Sequence, residues 1–420
     1  MLRLASVLAL SLLIACGDDD VVVDDAGTDV GTDAFDATMP DVPVVDAPVD
    51  AGPVSCAAPA ETTPFLLAPG LRQTQLHPAV AFDGERMWIT LTVDEEAGSA
   101  FDIVLLMHDC GGNLQGDPIF VSQAIPPNDI DASIALGADS IVLAWQRDES
   151  TGTITTWTRA FELDGTPRGD EVQYVSYREG AVLDATVWFP ELQARAGGFW
   201  LSGVRGIEGV GFQVYAQELD EDGLAIAGDA LEPASNGMEQ TGLALVQRDD
   251  QLHFAWSETR DGNDQAVYLA PGETDPVLLL DGFIASNLGG MVAHGDALVA
   301  GVRVGSANGT IHLMQVGSTE TTEVERGQIG APHLAAGEGT RGAVLWTDAL
   351  SGFTAEQLWV AGYIVGDPPM LDTPREINTL GAVGLPYAPA VTHLVGDAYL
   401  VTWTERAADT WQSWGQIVVL

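Results

Sequence analysis

The chain has 420 residues, with 61 acidic side chains against 16 basic ones and a formal charge of −45, and every basic residue is arginine. Such a field repels phosphate backbones and anionic headgroups, which excludes nucleic acid as a partner. No HExxH, paired CxxC, GxSxG elbow or glycine-rich phosphate loop occurs, so the familiar metal, serine-nucleophile and nucleotide chemistries have no carrier.

The chain opens with Arg3, an apolar run over residues 4–14, and then Leu13-Ile14-Ala15-Cys16-Gly17. The run is short for a membrane-spanning helix and a long polar stretch follows, which reads as a processed export signal. These 17 residues resemble a bacterial lipoprotein signal. The resemblance implies cleavage after residues 1–15 and a diacylglycerol on the Cys16 thiol. Lipid chains contribute roughly 0.8 kcal/mol per buried CH₂, so acylated Cys16 is expected to hold the protein at a lipid bilayer without crossing it. Gly17 replaces the aspartate that retains such lipoproteins at the inner membrane, which implies the outer membrane, on either its periplasmic or its surface face.

Residues 17–62 are mostly Asp, Val, Ala, Thr, Pro and Gly, with 12 acids and no base. Mutual repulsion and proline disfavour a packed core, so 16–62 is expected to be a lipidated, disordered acidic tether. With Cys16 acylated, Cys56 and Cys110 remain, and an oxidising compartment favours a disulfide between them.

From Leu76 to Arg406 a motif returns seven times: an apolar stretch, a turn with Gly or Asp, and an alternating strand. Copies begin HPAVAFDG at His77, DASIALGA at Asp131, PELQARAG at Pro190, GLALVQRD at Gly242, GGMVAHGD at Gly289, PHLAAGEG at Pro332 and PAVTHLVG at Pro389. One aligned column holds Leu91, Trp145, Gly203, Trp256, Gly301, Trp346 and Trp403, at intervals of 54, 58, 53, 45, 45 and 57 residues. Each copy reads as two strands, and the segment after it supplies two more, such as TITTWTRAFEL and EVQYVS. Four-stranded meanders of this size cannot bury their apolar faces alone, and a radial array of them is a β-propeller.

The last copy stops after a third strand, WGQIVVL, whereas an orphan strand, TPFLLAPG, precedes the first. Residues 64–67 are therefore expected to lie beside 416–420, because an open outer edge invites association with other chains. The expected fold is all-β: a seven-bladed β-propeller of four-stranded antiparallel blades over 63–420, closed by an N-terminal strand that completes the last blade.

Candidate chemistry is sparse. His77, His333 and His393 fall near the first strands of separate blades, but their differing offsets disfavour a three-histidine metal site. No cofactor is expected. Structural calcium at the acid-rich turns 220–223 and 261–264 competes with ion-free hairpins, which Asp-Gly turns close unaided. The sialidase-type Asp box has no clean copy, since FDGERMW from Phe82 lacks the serine and has its Gly-to-Trp spacing off by one.

Two residues beyond the aligned column stand Arg147, Arg205, Glu258, Arg303, Asp348 and Glu405, with Asp94 in the first copy. At the ends of second strands these are expected to ring one face of the disk as a ligand rim. The long connection SYREGAVLDATVWF adds Tyr177, Arg178, Trp188 and Phe189 as surfaces for stacking a sugar or peptide. The reading is a noncatalytic binding or scaffold module for protein, peptide or glycan. The alternative is a propeller glycoside hydrolase or polysaccharide lyase, and fold alone does not choose between them.

Overall fold

Alternating apolar residues joined by Gly and Asp turns dictate antiparallel hairpins, and the computed structural model assembles them into seven sheets of blade type. It describes Cys56 and residues 59–420, apart from short segments between strands, of which 234–239, 350–355 and 378–386 are the longest. Of the tether only Cys56 and residues 59–62 are described, and Cys16 lies outside the described residues. Every regular element among the described residues is a β-strand, and no helix there is long and apolar enough to cross a membrane.

Blade 1 runs Gln75–Phe82, Arg86–Asp94, Phe101–Asp109 and Ile119–Phe120 from inside to outside, and blades 2, 4 and 5 repeat that order. Blade 3 keeps three strands, with its outer place marked by a single bridge from Ala216 to Leu231. Blade 6 carries two short segments, Met370–Leu371 and Arg375–Ile377, against its third strand. The seven innermost strands touch their neighbours in sequence, and that of blade 7, Tyr387–His393, touches that of blade 1. This closes the ring around a central axis.

The fourth edge of blade 7 is filled from the N-terminus, as expected, but three residues earlier along the chain. Phe65 and Leu66 pair antiparallel with Gly415 and Trp414, while Thr62 N–H donates to Ile417 O (3.1 Å) and Leu67 N–H to Ser413 O (2.9 Å). Side-chain packing sets this register. Leu67 and Ala68 enter the core between blades 7 and 1 beside Met87, Leu400 and Ile417. Phe65 lies against Gly112 and Gly415, where a Cβ would collide with its ring.

Two further contacts hold this closure. The Cys56–Cys110 disulfide is present, with Cα atoms 5.4 Å apart. His108, fully buried, sets Nε2 2.8 Å from Leu67 O and Nδ1 3.1 Å from Gly112 O. Both partners are acceptors, so a neutral ring donates to only one of them. Burial pushes the His108 imidazole down, against the pull of the two carbonyls.

The core lies in the seams between blades. Side chains alternate along a strand, so the aligned column faces the preceding blade and the residue before it faces the following one. Trp145 packs with Ile103 and Leu105 of blade 1, whereas Ala144 packs with Phe199 and Leu201 of blade 3. Trp145, Trp256, Trp346 and Trp403 are all fully buried.

This alternation corrects the phase of the fifth copy. Ala300 and Val302 pack toward blade 4 with Ala244 and Ala255, and Val299 packs toward blade 6 with Val344 and Trp346. A Cβ on Gly301 would strike Leu334 and Pro332 of blade 6. The column residue of blade 5 is therefore Val302, the small residue before it is Gly301, and the position two beyond is Val304 rather than Arg303.

Candidate functional site

In six blades the innermost strand slips register near its start: between Leu76 and Ala79, Ile130 and Ser133, Trp188 and Glu191, Thr241 and Ala244, Leu288 and Gly290, and Tyr387 and Ala390. At five of these bulges the backbone turns left-handed, at His77 (φ 51°), Asp131 (54°), Phe189 (53°), Gly242 (57°) and Ala388 (48°). Proline follows in three, as Pro78, Pro190 and Pro389. A bulge releases one ladder N–H, which is where a strand tolerates proline. A left-handed non-glycine residue costs about 1–3 kcal/mol and persists only where the surroundings enforce it.

Because the innermost strands encircle the axis, these residues form a collar at one mouth of the channel. Read around the ring it is His77, Asp131, Phe189, Gly242, Leu288, Ala331 by register, and Ala388. Blades 1 to 3 thus carry the polar and aromatic groups, and blades 4 to 7 carry Gly242, the core residue Leu288, Ala331 and Ala388. Phe189 is 52% exposed, unusual for a phenylalanine held on a strand. His77 Nδ1 contacts the Asp131 carboxylate, joining blades 1 and 2, with both side chains partly exposed.

One step further into the channel are the residues paired with the one before each column: Ala79, Ser133, Glu191, Ala244, Gly290, His333 and Ala390. Only Glu191 and His333 in this tier titrate, and their strands stand three blades apart in a ring of seven. Glu191 is reached by solvent, yet enclosure by the surrounding protein pushes its carboxyl up to about 7. The same enclosure pushes the partly exposed His333 down to about 4, so it is neutral at pH 7.

The expected polar rim has a different place. Residues i and i+2 of a strand share a face, so the position two beyond the column lies in the same seam as the column itself. Arg147 is buried there and doubly forked, with Nε 2.7 Å and Nη2 3.0 Å from Asp129 and Nη1 and Nη2 each 2.9 Å from Glu171. Its guanidinium also stacks 4.1 Å over Trp157. Arg205 is buried, 2.5 Å from Glu232 and over the Tyr215 ring.

Glu258 and Glu405 are buried and accept the indole N–H of Trp256 and Trp403, each at 3.2 Å, and Glu258 also pairs with Arg260 at 2.7 Å. Asp94, Arg303 and Asp348 are partly exposed, and the Asp94 N–H donates to Thr74 O (3.0 Å). Arg147, Arg205, Glu258 and Glu405 are thus held by partners within their own blades. Tyr177 and Arg178 belong to a small hairpin, Ser176–Arg178 with Ala181–Leu183, on the connection that leads to Trp188 and the collar.

His77, His333 and His393 occupy different levels, His393 lying near the far end of its strand with Nε2 3.0 Å from Gly396 O. No group of three or more His, Cys, Asp or Glu fit to hold a metal ion occurs among the described residues. The 220–223 turn is closed by its own Asp220, which accepts from Asp222 N–H (3.0 Å) and Leu224 N–H (2.9 Å). At the opposite mouth, hairpin turns frame an open depression of about 380 Å³ lined by Leu136, Gln193, Arg195 and Gln247, where Arg195 is tied to Glu218 at 3.1 Å.

No family model matches the chain, and no curated protein does. Among solved structures, it is similar to a protein of unknown function from Dyadobacter fermentans, with TM-score 0.52 and 9% identity over 86% of this chain and 99% of that one. It also resembles the NanB sialidase from Streptococcus pneumoniae (TM-score 0.41, 11% identity, 84% and 70% covered). A third likeness is the N11 neuraminidase-like protein of A/flat-faced bat/Peru/033/2010 (TM-score 0.47, 9% identity, 83% and 88% covered). At these identities the likeness is one of fold alone.

Proposed function

We propose that the chain is an extracytoplasmic propeller, anchored to a bilayer through acylated Cys16, that binds a glycan at the collar. The observation that carries this reading is the exposed Phe189 beside the His77–Asp131 pair, with Glu191 two residues along the same strand. A sugar presents an apolar ring face and a fringe of hydroxyls. An aromatic platform flanked by carboxylates and an imidazole suits both. The small residues Gly242, Ala331 and Ala388 leave room for the rest of the ligand.

A hydrolase remains the second reading, favoured by Glu191. A carboxyl pushed up to about 7 by burial suits a general acid. A glycan array probed with the chain, followed by incubation of each bound glycan and analysis of its products, separates the two. Binding lost in Phe189→Ala with every glycan recovered intact supports the binding module. Cleavage lost in Glu191→Gln supports the enzyme, and binding unchanged in Phe189→Ala overturns both. For the anchor, palmitate labelling that persists in Cys16→Ser would overturn lipidation at that residue.

A further inference from the structure

We propose that the channel mouth opposite the collar is a second binding site, for a small hydroxylated carboxylate. It stands apart from the glycan reading of the collar and does not rest on it. Three innermost strands end at the depression there: that of blade 2 with Leu136, that of blade 3 with Gln193 and Arg195, and that of blade 4 with Gln247. About 380 Å³ lies at the low end for a ligand site, which suits one sugar-sized molecule rather than an oligomer.

The three polar side chains that line it all present donors. Gln193 and Gln247 are partly exposed, yet each buries its amide oxygen with no hydrogen-bond partner among the described residues, so the NH₂ ends are what solvent reaches. Arg195 lies 5.7 Å over the Trp200 ring and donates from one Nη to Glu218 (3.1 Å) and from the other to Ala196 O (3.2 Å). Its Nε has no partner among the described residues, and each Nη has a further N–H to give. Elsewhere in this fold Arg147 takes two carboxylates at once, Asp129 and Glu171.

No Asp or Glu is among the described residues that line the depression, although the chain has 61 acids. A ligand there has to bring acceptors. A cation would meet only donors, and a neutral sugar would forgo the charged bond. A carboxylate accepts from Arg195 and an amide together, and charge-assisted bonds are about twice as strong as neutral ones. Hydroxyl oxygens serve the second amide, and Leu136, Ala194 and Ala196 offer an apolar floor to ring carbons. The net charge of the chain opposes anions at long range, but physiological salt screens it beyond about 8 Å.

Titration calorimetry of the full chain at pH 7 tests this with glucuronate and glucuronamide, which share a ring and differ in charge. Glucuronate is expected to bind about tenfold or more tightly. Arg195→Gln should bring it down to the level of glucuronamide, and Gln247→Leu should weaken both probes. Glu218→Gln, which frees an Nη of Arg195, should tighten glucuronate severalfold, a gain that a damaged fold does not produce. Melting temperatures measured alongside separate loss of the contact from loss of the fold. Equal affinity for the two probes, no binding of either, or glucuronate affinity unchanged in Arg195→Gln would overturn the site. So would loss of glucuronate binding in Phe189→Ala alone, which would put the probe at the collar.

Discussion

Replacing Arg147 with methionine keeps much of the side chain's length and removes its charge from a seam between blades 1 and 2. Asp129, fully buried, then loses the fork that neutralises it. Breaking a buried pair from one side costs about 3–5 kcal/mol, because the remaining charge stays desolvated. The bonds to Glu171, which is 26% exposed, add less, and stacking over Trp157 adds about 0.5–1 kcal/mol. A loss of about 4 kcal/mol is expected in equilibrium urea denaturation.

Asp129 also fixes how that loss depends on pH. Burial already pushes its carboxyl up, opposed by Arg147. Without Arg147 its folded pKa rises further above the unfolded value, so the cost is full above that pKa and shrinks as pH falls. The deficit should be larger at pH 8 than at pH 5, and Asp129→Asn in the same chain should recover part of it at pH 8. A loss below about 1 kcal/mol, or a deficit that Asp129→Asn deepens, would refute the role of Arg147 as a seam clamp.

Removing the Cys56–Cys110 bridge, which spans 54 residues, should cost about 4 kcal/mol on the chain-entropy scale, read as a lower urea midpoint in Cys56→Ser/Cys110→Ser; an unchanged midpoint would contradict it. His108 has a folded pKa below its unfolded value, so acidifying from pH 6.5 costs stability, by at most about 1.4 kcal/mol per pH unit for this group. His108→Asn should flatten that slope, and an unaltered pH profile would argue against a buried neutral imidazole at the closure. Trp403→Ala, emptying a fully buried site between blades 6 and 7, should cost about 3–5 kcal/mol by denaturation, and a cost under about 1 would place Trp403 outside the core.

Much of the fold is written in residues whose meaning is local. Trp145, Trp256, Trp346 and Trp403 mark one strand of each of their blades, and the orphan strand around Phe65 completes the last blade. Blade 5 was harder because Gly301 sits beside Val302 with no aromatic to fix the phase, and a one-residue slip exchanges the two faces. The partners of Arg147 and Arg205, namely Asp129, Glu171 and Glu232, belong to other strands and connections, so their pairing is set only when the blades fold. Period two alone, however, places a residue two beyond a buried tryptophan in the same seam. The collar was nearly invisible, because a register slip is a property of paired backbones. Its one trace is the proline recurring near the start of innermost strands, at Pro78, Pro190, Pro332 and Pro389.

The most direct test of the account compares two side chains that compete for the role of ligand contact, Phe189 in the collar and Arg205 in the seam. Using whichever glycan the array returns, dissociation constants are measured for wild type, Phe189→Ala and Arg205→Gln under conditions where all three are folded. Affinity reduced about tenfold or more in Phe189→Ala and unchanged in Arg205→Gln is the predicted result. The reverse pattern would move the site from the channel mouth to the rim of strand ends and contradict the account.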